Sequence, residues 1–189
     1  MGLTLVSPGA LPVTLAQAKA HCRVDHNDDD ALITLYIEAA TAVLDGEDGV
    51  LGRCLSPQTW SLHYDEFPCG AIKIPLPPLI DVNFIKYNDG DGVEQTLPTT
   101  AYAVDLHQTW GWVVPAVGGW PTSASDIINA VNIQFYAGYP PPIGVPGAIK
   151  AAILECVGDL YKLREPTVVG TVSETEVMRR LINPYRIIF

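Results

Sequence analysis

The sequence has few charged residues, and positive charge is the scarcer sign. Asp, Glu, Lys and Arg make up 17% of the 189 residues, with 11 Lys+Arg against 21 Asp+Glu and a net charge of −10. A protein that grips nucleic acid needs clustered Lys and Arg to neutralise phosphates, so this composition excludes a basic nucleic-acid clamp. Apolar residues reach 48%, which excludes a disordered chain. With so few charges, we expect part of the surface not to face water.

Long apolar runs and paired cysteines are also missing. No stretch approaches the ~20 apolar residues that a bilayer span requires, and the first eight residues lack the basic region and apolar core of a signal peptide. We therefore expect a soluble intracellular protein without a membrane partner. The four cysteines form no Cys-x-x-Cys pair, which favours reduced and mostly buried thiols over disulfides. They are Cys22, Cys54, Cys69 and Cys156.

The motifs of common enzymes and cofactor sites are absent. The sequence has no Gly-x-Ser-x-Gly, no phosphate loop ending in Gly-Lys-Ser/Thr and no Gly-x-Gly-x-x-Gly. The acidic segment 25–30 would need Gly at the sixth position and Glu at the twelfth to be a calcium loop, and has neither, so we interpret it as a turn between helices. His21, Cys22 and His26 lack a second ligand pair at a zinc-like spacing. We predict no enzyme, cofactor or metal site.

Residues 14–54 have the pattern of two helices. Thr14-Leu15-Ala16-Gln17 has the form of a capping box and predicts a helix start. A second helix is predicted to begin near Asn27–Asp30 and to end at Gly46, Gly49 and Gly52. Its predicted apolar stripe is Leu32, Tyr36, Ala39 (with Ala40) and Val43, widened by Ile33, Ile37 and Leu44.

Residues 57–139 have the short, proline-bounded runs of a small antiparallel lobe. Asn88–Gly92 supplies the turn residues of a β-hairpin; holding a cation is an alternative role for that loop. The predicted strands are Gln58–Phe67, Ala71–Ile74, Val82–Tyr87, Val93–Leu97, Ala101–Leu106, Trp110–Val114 and Ala130–Tyr136.

Residues 140–189 return to a helical pattern. Ile149, Ile153 and Val157 recur at helical spacing, and a second capping box at 173–176 predicts a short helix that Asn183-Pro184 ends. The predicted fold is α+β. Residues 1–54 and 141–189 form one helical bundle, and residues 55–140 form an inserted antiparallel β-sandwich or barrel lobe.

Charge and apolar side chains single out the C-terminal end. Residues 1–149 carry 5 Lys+Arg and 16 Asp+Glu, whereas residues 150–189 carry 6 and 5. We predict a docking tail in which guanidinium groups accompany apolar anchors; the alternative is a terminus packed on its own bundle. The predicted docking residues are Arg179, Arg180, Tyr185, Arg186, Ile187, Ile188 and Phe189.

A group of aromatic residues in the β lobe supports a different hypothesis. Such residues usually form the core of a small lobe, but they can also stack on a sugar or a base. The alternative function is therefore a small-ligand or carbohydrate-binding module. The residues concerned are Trp110, Trp112, Trp120 and Tyr139.

The motifs, taken in order along nearly the whole chain, resemble the head–tail connector proteins of tailed bacteriophages, also called head-completion or adaptor proteins, in the variant with an inserted β lobe. The segments that carry the resemblance are Leu11–Asp25, Ala31–Ile33, Gly52–Leu55, Gln58–Trp60, Phe67-Pro68, Ile74–Pro78, Tyr102–Asp105, Trp120-Pro121, Phe135–Tyr139, Pro146–Glu165 and Leu181–Arg186.

The resemblance implies a structural virion protein and not an enzyme. Such proteins assemble in the host cytoplasm as a ring, typically a dodecamer, beneath the portal protein at the head–tail junction of the virion. The ring extends the channel through which DNA passes without sequence-specific binding, and it offers a docking surface to stopper or tail-completion proteins. The resemblance does not distinguish a phage, a prophage and a gene transfer agent as the source.

Overall fold

The computed structural model describes residues 1–124, 126–141, 143–163 and 176–187. Helices and antiparallel sheets are both present, which confirms the predicted α+β class. Most of the predicted capping box at 173–176 lies outside the described residues, as do Ile188 and Phe189 of the predicted docking tail. The elements in chain order are β1 Gly2–Ser7, α1 Leu15–Cys22, α2 Asp30–Leu44, β2 Gln58–Tyr64, β3 Ile72–Ile74, β4 Leu79–Asn88, β5 Glu94–Thr96, β6 Tyr102–Asp105, β7 Gly111–Pro115, β8 Val131–Ala137, α3 Gly147–Lys162 and α4 Glu176–Ile182.

The chain divides into two compact units. A β unit consists of residues 1–10 and 56–140, and a helical unit consists of residues 11–55 and 141–189. The inserted lobe predicted for 55–140 corresponds to most of the β unit. Residues 1–10 are placed differently from the predicted division, because β1 pairs with β2 in the β unit instead of joining the helices.

Two antiparallel sheets build the β unit. One has the strand order β1-β2-β8-β4-β5 and the other β3-β7-β6, and neither closes into a barrel. Their buried side chains alternate along the strands, as expected for two packed layers; examples are Leu62 and Phe135 in the first sheet and Ile74 and Val113 in the second. Gly111 on β7 lies so close to the side chain of Leu79 on β4 that a Cβ there would overlap it, so the two sheets pack directly on each other as a sandwich.

All of the predicted strands are present, and β1 is an addition. The predicted hairpin is the β4–β5 pair, in which Lys86 lies opposite Thr96. Gly2–Ser7 is an edge strand whose side chains are mostly exposed. Its partner residues in β2, such as Leu62 opposite Leu3, are far away in the sequence. A strand that depends on a distant partner leaves little local signal.

The helical unit packs α2 against α1 and α3, and α4 against α3. The predicted capping box of α1 is confirmed: the Gln17 amide donates to Thr14 Oγ1 at 3.2 Å, and the Thr14 amide donates to Gln17 Oε1 at 3.0 Å. The buried side chains of α3 and α4 line the same core; they are Ile149, Ala152, Ile153, Val157, Met178 and Ile182.

The core face of α2 differs from the predicted stripe. The buried residues are Ile33, Ile37, Ala40, Thr41 and Leu44, whereas Val43 is 50% exposed and Ala39 is exposed. The predicted stripe was centred on the wrong face of the helix, because α2 carries apolar residues on more than one face. The helical period then locates apolar positions without indicating which of them faces α1 and α3.

A glycine-rich loop follows α2 and closes back on it. Asp45 Oδ1 accepts a hydrogen bond from the Leu55 amide at 2.7 Å, and Leu51 and Leu55 are fully buried. Gly49 is required because a Cβ at that position would overlap the backbone of Asp45. The predicted helix end at these glycines is therefore correct, and the loop forms part of the helical core.

We expect Thr14→Ala to destabilise the helical unit by about 1 kcal/mol, because it removes the side-chain acceptor for the Gln17 amide. Urea unfolding followed by helical circular dichroism measures the change. Thr14→Ser keeps the hydroxyl and should unfold close to the native midpoint. Equal stability of the Ala and Ser variants would contradict a role for the capping box.

Candidate functional site

The C-terminal helix is held to the bundle by one apolar face. Met178 and Ile182 are buried, and the sulfur atoms of Met178 and Cys156 lie 3.5 Å apart. The opposite face of α4 carries the exposed Val177, Arg179 and Arg180. The helix is therefore anchored on α3 through Met178 and Ile182, and it presents both apolar and cationic side chains to solvent.

The predicted docking residues divide into two groups. Arg179, Arg180 and Arg186 are exposed, and Arg180 forms an ion pair with Glu176 one turn earlier in α4. An exposed i,i+4 pair of this kind contributes little stability. The guanidinium groups thus face solvent, where a carboxylate or carbonyl of a partner can reach them.

The start of the tail lies on the protein's own bundle. The Ile187 amide donates to the Leu51 carbonyl in the glycine-rich loop at 3.0 Å, and Tyr185 and Ile187 are half-buried. For Ile187 this contact supports the alternative hypothesis of a terminus packed on its own bundle. Ile188 and Phe189 lie outside the described residues, so their docking role stays a prediction.

The outward face of α2 is a surface that sequence reasoning missed. It consists of the six exposed residues of this helix, Ala31, Leu35, Glu38, Ala39, Ala42 and Val43. Leu35 is 56% and Val43 50% exposed. The available signal was the scarcity of charge, since Asp30 and Glu38 are the only charged residues of α2. A helix that is apolar all round is normally covered on all sides.

The acidic segment 25–30 has structural partners of its own. Lys19 Nζ lies 2.6 Å from Asp30 Oδ1 and 2.7 Å from Asn27 Oδ1, and the Tyr161 hydroxyl donates to Asp29 Oδ2 at 2.7 Å. These contacts tie α2 to α1 and α3, so the segment acts as a turn within the bundle. Within the described parts of the chain, no group of three His, Cys, Asp or Glu side chains is arranged to hold a metal ion.

His21, which is exposed, and Cys22, which is half-buried, lie at the end of α1. A Cβ at Gly158 of α3 would lie 3.1 Å from His21 Nε2, so the glycine allows α1 and α3 to approach closely. Burial raises the pKa of the Cys22 thiol, and the positive charge of Lys162 offsets part of that rise. A raised pKa disfavours the reactive thiolate. All four cysteines are free thiols, as predicted, but only Cys54 is fully buried and Cys69 is exposed.

The tryptophans of the β unit have separate environments. Trp60 is buried in the core, Trp110 lies beneath Lys73 Nζ, 3.5 Å from the ring centroid, and Trp120 stacks on Phe67 with centroids 5.1 Å apart. The Trp120 indole N–H donates to the Gly70 carbonyl at 2.6 Å. Trp120 and Phe67 line an open cleft of about 510 Å³ whose wall includes Pro115. One face of the Trp120 ring and its indole donor are thus engaged within the unit.

The hairpin loop between β4 and β5 is organised by one carboxylate. Asp89 Oδ1 accepts the amides of Asp91 and Val93 at 3.1 and 3.0 Å, and Gln95 Nε2 donates to Asp89 Oδ2 at 2.8 Å. The Gln95 side chain and then the Val93 amide lower the pKa of Asp89 below its usual 3.8, because both donate to the ionised form. The carboxylate is thus engaged in shaping the turn.

We expect a pH-dependent hairpin turn. The folded-state pKa of Asp89 is lowered, so its stabilising contacts are complete above the unfolded value of 3.8 and are lost as pH falls through the lower folded value. The Val93 amide resonance should titrate below pH 3.8 by nuclear magnetic resonance. Asp89→Asn should abolish this titration and Asp91→Asn should preserve it; a midpoint at or above 3.8 would contradict the assignment.

Comparison with known protein families finds a match in the N-terminal part of the chain. Residues 12–75 match the family model of the phage gp6-like head-tail connector protein. This match confirms the resemblance to head–tail connectors that the sequence motifs indicated. No curated protein matches the chain by sequence, and the described residues contain no helix long and apolar enough to cross a membrane.

Solved structures share the fold over the whole chain. The neck of an empty gene transfer agent particle, computed with C6 symmetry, contains a chain that matches with a TM-score of 0.79. A chain of the native gene transfer agent virion matches with a TM-score of 0.80. A chain of the native neck, computed with C12 symmetry, matches with a TM-score of 0.78. Each match is 20% identical and covers 100% of this chain and 97% of the other. The helical unit and the β unit therefore both belong to an architecture found in a particle neck.

Proposed function

We propose that this protein is a structural head–tail connector, or adaptor, of a phage-like particle. The observation that carries the proposal is the full-length structural likeness to chains of a gene transfer agent neck. The family match at 12–75 supports it independently, because it rests on sequence. In this role the protein works by assembly at the head–tail junction of the virion, after synthesis in the host cytoplasm, and has no catalytic function.

In the proposed assembly, copies of the chain form a ring, typically a dodecamer, beneath the portal. Head-to-tail contacts between identical subunits close into a ring when their rotation closes, and the C6 and C12 symmetries of the similar necks are compatible with this arrangement. The ring extends the DNA channel and provides the docking surface for stopper or tail-completion proteins.

The charge distribution suits a channel through which DNA passes. Residues 1–149 carry 5 Lys+Arg against 16 Asp+Glu, so the main body repels phosphate. A duplex can slide through an acidic ring without being held, whereas a basic ring would retain it by neutralising its backbone charge.

We infer that the portal is contacted by the C-terminal segment. Arg179, Arg180 and Arg186 face solvent on and beside α4, which is anchored on α3 by Met178 and Ile182. The remaining residues of the docking segment are Tyr185, Ile187, Ile188 and Phe189. A rigid helix that presents guanidinium groups beside an apolar tail combines the two kinds of anchor that dominate protein interfaces.

We expect deletion of residues 187–189 to leave a folded protein that no longer binds portal. Within the described residues the deletion removes the half-buried Ile187 side chain and its backbone hydrogen bond to Leu51; the hydrogen bond contributes about 1 kcal/mol. A pull-down with purified portal measures binding, and electron microscopy of the mixture shows whether a ring is added. Ile128→Ala, at a residue that is 82% exposed in the β unit, is the matched control.

Two outcomes separate the parts of this proposal. Unchanged portal binding by the truncated protein would contradict the docking role of the tail while leaving the connector function intact. If the full chain adds no ring to the portal, and is absent from the necks of purified particles, the connector function itself is wrong.

A further inference from the structure

Four strands lie at the edges of the two sheets, and three of them are protected against further pairing. The three are β3, β5 and β6, which have three or four residues each and carry Lys73, Glu94 and Asp105 respectively. Short length and a charged side chain are common means by which an edge strand avoids pairing with another chain. These three edges are therefore poor templates for an additional strand.

The fourth edge strand, β1, has neither protection. It is six residues long, and it contains no charged residue and no proline. Among the described residues no strand lies on the side of β1 that faces away from β2, and the side chains of Leu5 and Val6 are 45% and 52% exposed. An uncharged edge of this length offers backbone amides and carbonyls with which another extended chain can pair.

The side chains of β1 alternate between the two faces of the sheet. Leu3 lies opposite the buried Leu62 of β2, so Leu3, and with it Leu5, points to the core face. Thr4 points to the other face, because successive side chains of a strand alternate. The register shift in the pairing with β2 lies between Leu5 and Ser7, so the first four residues of β1 form a regular ladder.

A second copy of β1 fits this edge. Residues directly opposite each other in an antiparallel pair point to the same face of the sheet. A register centred on Thr4 meets this condition, because it places Thr4 opposite Thr4 of the second copy and Leu3 opposite Leu5. Both kinds of pair stabilise antiparallel strands. The other edges that a second copy offers among its described strands each carry a charge.

We propose that β1 pairs antiparallel with β1 of a second copy of this chain about a two-fold axis, so that the two five-stranded sheets join into one continuous sheet. The contact uses the same surface on both copies, so it closes on two of them and leaves no free β1 edge. A ring needs head-to-tail contacts instead. The proposed connector ring would therefore use other surfaces, and the pairing of β1 does not depend on the connector function.

Self-association of the full chain tests this pairing. Leu5→Lys places a charge on the edge of the sheet, as the protected edges have. Leu5 is 45% exposed, so the variant should fold, which circular dichroism checks. In sedimentation equilibrium over a concentration series to about 1 mM, we expect the wild type to dimerise and Leu5→Lys to dimerise at least ~10-fold more weakly. Ile128→Lys, at a position that is 82% exposed in the β unit, is the matched control and should dimerise like the wild type.

A disulfide between the two copies tests the register. Cys69, an exposed native thiol, is first replaced by serine. In that background Thr4→Cys places the thiols of the two copies opposite each other, within the Cα separation of a disulfide, so mild oxidation should link the dimer. Ser7→Cys, also at an exposed position of β1, is the matched control. Its two thiols would lie six residues apart along the paired strands, which is about 20 Å, and should stay reduced.

Three results would overturn the inference. They are a wild type that stays monomeric to about 1 mM, a Leu5→Lys variant that dimerises like the wild type, and equal linking of the Thr4→Cys and Ser7→Cys variants. A mixture with portal separates this inference from the connector function. A monomeric wild type that adds a ring to the portal refutes the β1 pairing alone, whereas a wild-type dimer that never binds portal refutes the connector function alone.

Discussion

The packing of α2 against α3 is the interaction on which the helical unit depends. These helices, Asp30–Leu44 and Gly147–Lys162, come from opposite sides of the β insertion, and Ile33, Ile37 and Leu44 of α2 share a core with Ile149, Ile153 and Val157 of α3. Neither segment buries its apolar face alone, since most helical stability in proteins comes from tertiary packing. The contact therefore keeps the chain's two distant helical parts in one unit and supports both α4 and the glycine-rich loop.

The core leaves apolar and cationic surfaces of the helical unit uncovered. The core takes one face of α2 and one face of α4, so Leu35 and Val43 on α2 and the arginines of α4 remain on the outside. Exposed apolar surfaces on a protein with few charges are typical of surfaces that a partner covers. The scarcity of charge and the exposed apolar faces both suit the proposed role of a connector subunit that other proteins surround.

Local signals in the sequence predicted most of the elements. The Thr14 capping box, the hairpin at Asn88–Gly92 and the glycine end of α2 depend on residues within a few positions of each other, and all three were correct. Strand β1 was not predicted, and the stripe predicted for α2 was centred away from its core face, because each depends on a distant partner: Leu62 for Leu3 of β1, and α3 for α2. Among the predicted docking residues the arginines are exposed, while Ile187 contacts Leu51, as the alternative of a terminus packed on its own bundle expects; the docking role stays a prediction.

Composition and local pattern were enough to indicate the α+β class, the order of helices and strands, and the division of charge between residues 1–149 and 150–189. These properties follow from composition and from periodicity over a few turns. Contacts between distant segments are what place residues 1–10 in a sheet and select the apolar face of α2 that becomes core. An isolated α2 would have no reason to bury one of its two similarly apolar faces instead of the other. The shape of the helices that pack against it selects the buried face.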